Sequence, residues 1–122
     1  MPVYHKEVRV FEVHEENGDF LALFYIDLHP RETKNGGAWM TSWRPQGLHN
    51  GKVERPLISI VCNLTLSTED KPSLLTFREV ETIFHEFGHA LHGMLSKLTY
   101  ASLASPHVCF LYTSPFPRVL FT

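Results

Sequence analysis

Residues 76–98 read TFREVETIFHEFGHALHGMLSKL, and the fold turns on their period. Val80, Ile83, Phe84, Phe87, Leu91, Met94, Leu95 and Leu98 recur at the three- and four-residue spacing of an amphipathic helix. Thr76-Phe77-Arg78-Glu79 has the form of a capping box. The threonine hydroxyl caps the first turn while the glutamate, three residues on, reaches back to the threonine amide. Gly88 and Gly93 weaken such a helix without ending it. One helix is therefore expected from about Phe77 to about Leu98.

Upstream of the helix the period falls to two. Residues 8–13, Val-Arg-Val-Phe-Glu-Val, and the run Phe20 to Leu28 are β-rich and roughly alternating. Glu15-Glu16-Asn17-Gly18-Asp19 lies between them, and Asn-Gly is a strong hairpin signal. A β-hairpin follows. Pro30, Gly36 and Gly37 mark residues 29–37 as loop. Trp39 to Trp43 reads as a short strand, and residues 44–55 as loop again. Leu57 to Leu64, a mostly apolar run after Pro56, reads as a strand buried on much of both faces. The expected class is α+β: a small antiparallel-type sheet with a hairpin, packed against one long helix. Part of the helix's apolar stripe is expected to stay exposed.

The 122 residues suffice for one domain with a real core. An apolar fraction of 43% and a charged fraction of 20% are those of an ordinary globular protein. A net charge of −2 with scattered Lys and Arg gives no basis for a nucleic-acid partner. No apolar run has the roughly 18–20 residues that span a bilayer, so no membrane partner is expected. No charged-then-apolar signal segment opens the chain, and Cys62 and Cys109 make no disulfide framework. A cytoplasmic location is the expectation.

The chemistry lies in His85-Glu86-Phe87-Gly88-His89. Helical positions four apart differ by about 40° and one turn of rise. His85 and His89 therefore project from one face and can both ligate a tetrahedral Zn²⁺. Glu86, about 100° round from His85, sits beside the metal. There it can take a proton from water and return it to a leaving amine. Zinc in such a site polarises the scissile carbonyl and acidifies water. A shuffled chain of this composition would contain His-Glu-x-x-His about 4% of the time, and the placement in mid-helix lowers that further. His92 lies one turn past His89 and reads as a supporting or core histidine. The long metzincin pattern needs glycine at 92 and histidine at 95, positions held by His92 and Leu95, so that subclass is excluded. A catalytic zinc takes three protein ligands plus water, and after Glu86 the chain has no Asp or Glu.

Four segments carry a family resemblance: VRVFEV, LFYIDLHPRETKNGGAWM, RPLISIVCNLT and KPSLLTFREVETIFHEFGHALHGMLSKLTYASL. In this order, across about residues 4–104, the chain resembles the thimet oligopeptidase-like zinc peptidases. Within them it is most similar to the bacterial peptidyl-dipeptidase and oligopeptidase A group. The extended run Phe84 to His92 makes the resemblance far more specific than the pentapeptide. It implies a zinc metallopeptidase acting on short peptides and a fragment of a mostly helical zincin-like domain, with a small sheet beside a deep channel. It also implies a parent several times longer and monomeric. His85 and His89 match the family's zinc-ligand histidines and Glu86 its catalytic base. The strand Leu57 to Leu64 would be the edge along which an extended peptide pairs. Release of C-terminal dipeptides is the expected mode; internal cleavage stays open, because residues elsewhere in the family's chain shape the channel's end.

The resemblance stops near Ala104. The family continues with a Ser-Gly-Thr turn and a helix carrying Asp and the ligand Glu, due close to Ser114. This chain has SPHVCFLYTSPFPRVLFT at residues 105–122. That tail is read as a shifted reading frame or joined foreign sequence, and residues 1–104 as a partial metallopeptidase domain. His107 and Cys109 lack a partner motif and are not expected to ligate metal. The family's later tyrosine and histidine, which stabilise the oxyanion, have no counterpart. The 122 residues alone are thus expected to be inactive. The alternative is a non-catalytic small protein keeping the histidine pair as a weak metal or packing site.

Overall fold

The alternating segments pair as the sequence predicts. In a computed structural model that describes residues 2–100, β1 (Arg9–His14) and β2 (Phe20–Asp27) form an antiparallel hairpin. Its turn is closed by Gly18 N donating to Glu15 O (2.9 Å) and Glu15 N to Asp19 O (2.8 Å). Gly18 takes φ +90°, a conformation that favours glycine. β3 (Trp39–Arg44) and β6 (Leu57–Val61) follow close to their expected bounds.

Two features depart from expectation. The four-stranded sheet has the order β1-β2-β6-β3 and is mixed, because β2 and β6 run parallel. Parallel neighbours need a crossover of a dozen or more residues, and the chain between Asp27 and Leu57 supplies it. β6 therefore lies inside the sheet, paired with β2 on one side and antiparallel β3 on the other. It is not the peptide-pairing edge; the strand at that border is β3. The supposed loop 44–55 also holds a small second sheet, β4 (Gly47–His49) paired with β5 (Lys52–Glu54). Its turn is Asn50-Gly51, both at positive φ (50° and 80°), as a tight hairpin requires.

The helix α1 (Phe77–Leu95) opens with the complete capping box of Thr76 and Glu79. It ends three residues short of expectation, Ser96 being extended (φ −59°, ψ 131°). Arg55 explains the end. Its guanidinium donates to Met94 O (2.9 Å) and Ser96 O (3.1 Å), and also to Leu21 O and Gln46 Oε1 (2.7 Å each). Terminal helix carbonyls, which lack intrahelical partners, are thus tied to β2 and to the residue before β4.

The core is the seam between α1 and the sheet: Ala22, Phe24, Ile58, Ile60, Ala90 and Met94. Small residues let the helix come close. A Cβ on Gly93 would stand 2.9 Å from Ile58 Cδ1. Part of the stripe stays exposed, as expected, with Phe84 at 57% and Leu95 at 58% of full accessibility. Among the described residues no helix is long and apolar enough to cross a membrane.

Candidate active site

The orientation of α1 places the predicted residues. Phe87 packs on Phe24 of β2, ring centroids 5.7 Å apart, and Glu86 receives a hydrogen bond from the Met40 backbone of β3. One residue step therefore turns the helix from the β2 side to the β3 side, and the next positions round, His89 and His85, face beyond it. Glu86 thus lies at the border strand β3, with His89 and His85 further round the helix.

The imidazoles of His85 and His89 meet with Nε2 atoms 3.1 Å apart and ring planes at 82°. Two nitrogens at about 2.0–2.1 Å from one tetrahedral zinc would lie about 3.3 Å apart. The pair thus fits two of a zinc ion's ligands. Among the described residues no third His, Cys, Asp or Glu completes a cluster with them. His107, Cys109 and Ser114 lie outside the described residues.

Electrostatics mark the same spot. Burial raises the Glu86 carboxyl above the ordinary carboxylate range, against the opposing pulls of His85 and the Met40 backbone. Burial, then the charges of His85 and His92, lower the His89 imidazole, which favours the neutral form that ligates metal. His92 is thus within electrostatic reach of His89. The Cys62 thiol, just past β6, is pushed up to about 11 by burial first and the Glu86 charge second. It is an inert thiol, not a nucleophile.

A polar hub that sequence reasoning missed anchors the loop into β3. The Asp27 carboxylate is 1% exposed. It accepts from Tyr4 Oη (2.9 Å), both Arg31 Nη atoms (2.8 Å each) and Lys34 Nζ (3.0 Å). Lys34 also donates to the backbone carbonyls of His29 and Cys62. Burial alone would raise the Asp27 carboxyl, but the bonds from Arg31, Lys34 and Tyr4 hold it well below the usual range. Asn63 Nδ2 then clamps Asn35 O and Gly37 O (2.8 Å each). The available signal was the Asp-x3-Arg-x2-Lys spacing inside a segment read only as loop.

Comparison with known proteins gives this geometry its setting. The profile of peptidase family M3 matches residues 1–111. Dipeptidyl carboxypeptidase of Escherichia coli is 45% identical over 104 residues, 85% of this chain and 15% of that protein. Oligopeptidase A of the same organism is 42% identical over 103 residues, 84% and 15%. The organellar oligopeptidase A of Arabidopsis thaliana is 46% identical over 101 residues, 79% and 13%. The chain thus spans about 15% of the length of the curated relatives it matches. With most of its residues under the profile, this chain belongs to peptidase family M3.

Proposed function

We propose that the chain carries the catalytic helix and border strand of a zinc-dependent peptidase of short peptides. His85 and His89 hold the ion, and Glu86 is the general base. The observation that carries this reading is the 3.1 Å approach of the two Nε2 atoms, with Glu86 one residue from His85 at β3. When bound, zinc supplies Lewis-acid polarisation of a peptide carbonyl and lowers the pKa of water. Glu86 takes the proton released as water attacks and passes it to the departing amine. Its partial burial suits that work, since a raised carboxyl pKa brings base and acid forms closer in energy near neutrality. β3 offers backbone groups along its outer border, where an extended peptide can add as a further strand. The names of the relatives, dipeptidyl carboxypeptidase and oligopeptidase A, favour short peptides and dipeptide release.

A second reading has its own observation. Among the described residues only two donors face the metal position, which fits a weak two-histidine site without turnover. One experiment separates them. The 122-residue chain and a version whose tail from Ser105 is replaced by a family-like continuation carrying a glutamate are assayed with zinc on short blocked peptides. The first is expected to be nearly inactive and the second to gain peptidase activity that Glu86→Gln abolishes. Enzyme-like turnover by the short chain, lost on Glu86→Gln, would refute the need for a third ligand. Continued inactivity of the extended version would favour the second reading.

A further inference from the structure

The backbone groups of β3 divide between its neighbour and the outer border in a definite order. Leu23 N donates to Pro56 O (3.2 Å) and Cys62 N to Asp27 O (2.8 Å), so even-numbered positions along β6 turn their backbone groups to β2. These groups alternate in direction along a strand, and the odd residues Ser59 and Val61 therefore turn to β3. Their register partners are Thr41 and Trp39. Met40 and Ser42 stand opposite Ile60 and Ile58, so their N–H and C=O groups turn away from β6, to the outer border. The register shift between Ser42 and Arg44 ends the regular stretch. Among the described residues no further strand pairs with β3 on that side. A peptide added there meets two successive outward positions, and one of their two amides is already in use. The Met40 N–H donates to the Glu86 carboxylate.

We propose that Glu86, by holding the Met40 amide, sets the register in which a peptide adds to β3 and so selects the bond that is cut. In an antiparallel pair, directly opposed residues exchange both hydrogen bonds. The peptide residue opposite Ser42 exchanges both. The residue opposite Met40 gives its N–H to Met40 O, but its own carbonyl meets a carboxylate oxygen where the amide proton would be. That carbonyl is left without a strand partner, beside the general base. Water adds to its carbon, the C–N bond to the following residue breaks, and Glu86 carries the proton from the water to the departing amine. The cut therefore falls after the residue opposite Met40, two residues past the one opposite Ser42. A substrate needs an N–H at each of these two residues. The residue between them turns its N–H away from β3, and proline, which has none, is accepted where no ladder bond is required. The inference rests on β3 as the peptide border in the proposed function and is independent of zinc.

The test uses the zinc-free 122-residue chain, isotopically labelled for amide spectroscopy, and two blocked pentapeptides ending in a dimethylamide. They are acetyl-Thr-Pro-Val-Pro-Thr and acetyl-Thr-Pro-Pro-Val-Thr. Their composition is the same, but only the first has N–H groups two residues apart. It is expected to bind, slowing hydrogen exchange at the Ser42 amide and leaving that of Met40 as it was. The second should bind about two- to tenfold more weakly, the effect of losing one strand hydrogen bond. In Glu86→Ala the freed Met40 amide should pair with the peptide. Its exchange then slows when the first probe is added, and affinity rises by a similar factor. Glu86→Gln keeps an acceptor oxygen, so Met40 should stay indifferent to the peptide, which separates the bond from the charge. A nitroxide on the amino end of the first probe should broaden Arg44 more than Ala38, as antiparallel addition requires. Circular dichroism checks that both variants keep α1, and the comparison of the two probes needs no variant at all.

The inference is overturned if the first probe pairs with the Met40 amide in the parent chain, or if the two probes bind equally. It is overturned equally if Glu86→Ala behaves as the parent does, or if the nitroxide broadens Ala38 more than Arg44. Each of these results leaves β3 standing as the peptide border. Absence of any effect along β3 overturns both that border and this inference. No outcome bears on His85 and His89 as zinc ligands, so failure here and failure of the metal site are read separately.

Discussion

Gly93 and Asp27 show how single residues fix this architecture. Alanine at 93 gains helix propensity of about 1 kcal/mol but meets Ile58 Cδ1 at 2.9 Å. That atom is the end of a flexible side chain, so Gly93→Ala is expected to stay within about 1 kcal/mol of the parent. Gly93→Val adds bulk that the packed seam cannot absorb and should cost about 1–3 kcal/mol by urea denaturation. Asp27 carries the larger stake, because its partner Lys34 has a side chain only 3% exposed. Asp27→Asn strands that ammonium and is expected to cost about 3–5 kcal/mol. The pH dependence follows from the sign of the shift. The folded-state carboxyl titrates below its unfolded value of about 3.9, so its contribution is complete above that pH and is lost as pH falls through the folded value. Acid melts should therefore show a loss of stability below about pH 4 that Asp27→Asn flattens. Neither residue was singled out from sequence. Gly93 read only as a weak helix position, since close approach needs a partner surface that a one-dimensional period does not supply. Asp27 read only as the end of a strand.

At the scale of elements, what local chemistry encodes was legible and what needs a distant partner was not. The hairpin and the capped helix follow from Asn17-Gly18 and Thr76-x-x-Glu79, signals complete within five residues. The helix end was not legible, because Arg55, 39 residues before Met94, sets it. The β4-β5 hairpin carried the same Asn-Gly signal as the first, but strands of three residues show too little alternation to be seen. Glu79 gives the element its own test. Its carboxylate accepts from Thr76 N (2.7 Å) and from Thr65 N and Oγ1 (2.8 Å each), which lowers its pKa to about 2. Its support for α1 is complete above the unfolded value of about 4.3 and drains away as pH falls toward 2. Glu79→Gln should remove that dependence of the helical circular-dichroism signal. At the other end, Arg55→Met leaves Met94 and Ser96 carbonyls without their donor and is expected to cost about 2–4 kcal/mol.

Across the whole molecule, the sheet order decides which strand can meet a peptide. Alternation shows that Leu57–Val61 is buried but not who its neighbours are, so β6 read as an edge although β2 and β3 enclose it. The convergence of His85 and His89 was far more legible, since a four-residue spacing on a helix fixes which side chains meet; the Met40 contact to Glu86 was not, being set by β3 alone. Exposed Phe11, Phe84 and Leu95 predict that the isolated chain binds a hydrophobic dye, as uncovered apolar patches do. The central claim, that His85 and His89 form half of a metal site, is tested most directly by X-ray absorption at the zinc edge of the zinc-loaded 122-residue chain. The account predicts two imidazole nitrogens at about 2.0–2.1 Å, with His85→Ala and His89→Ala each removing one and weakening binding. A zinc spectrum without imidazole scattering, or one unchanged by both substitutions, would contradict it.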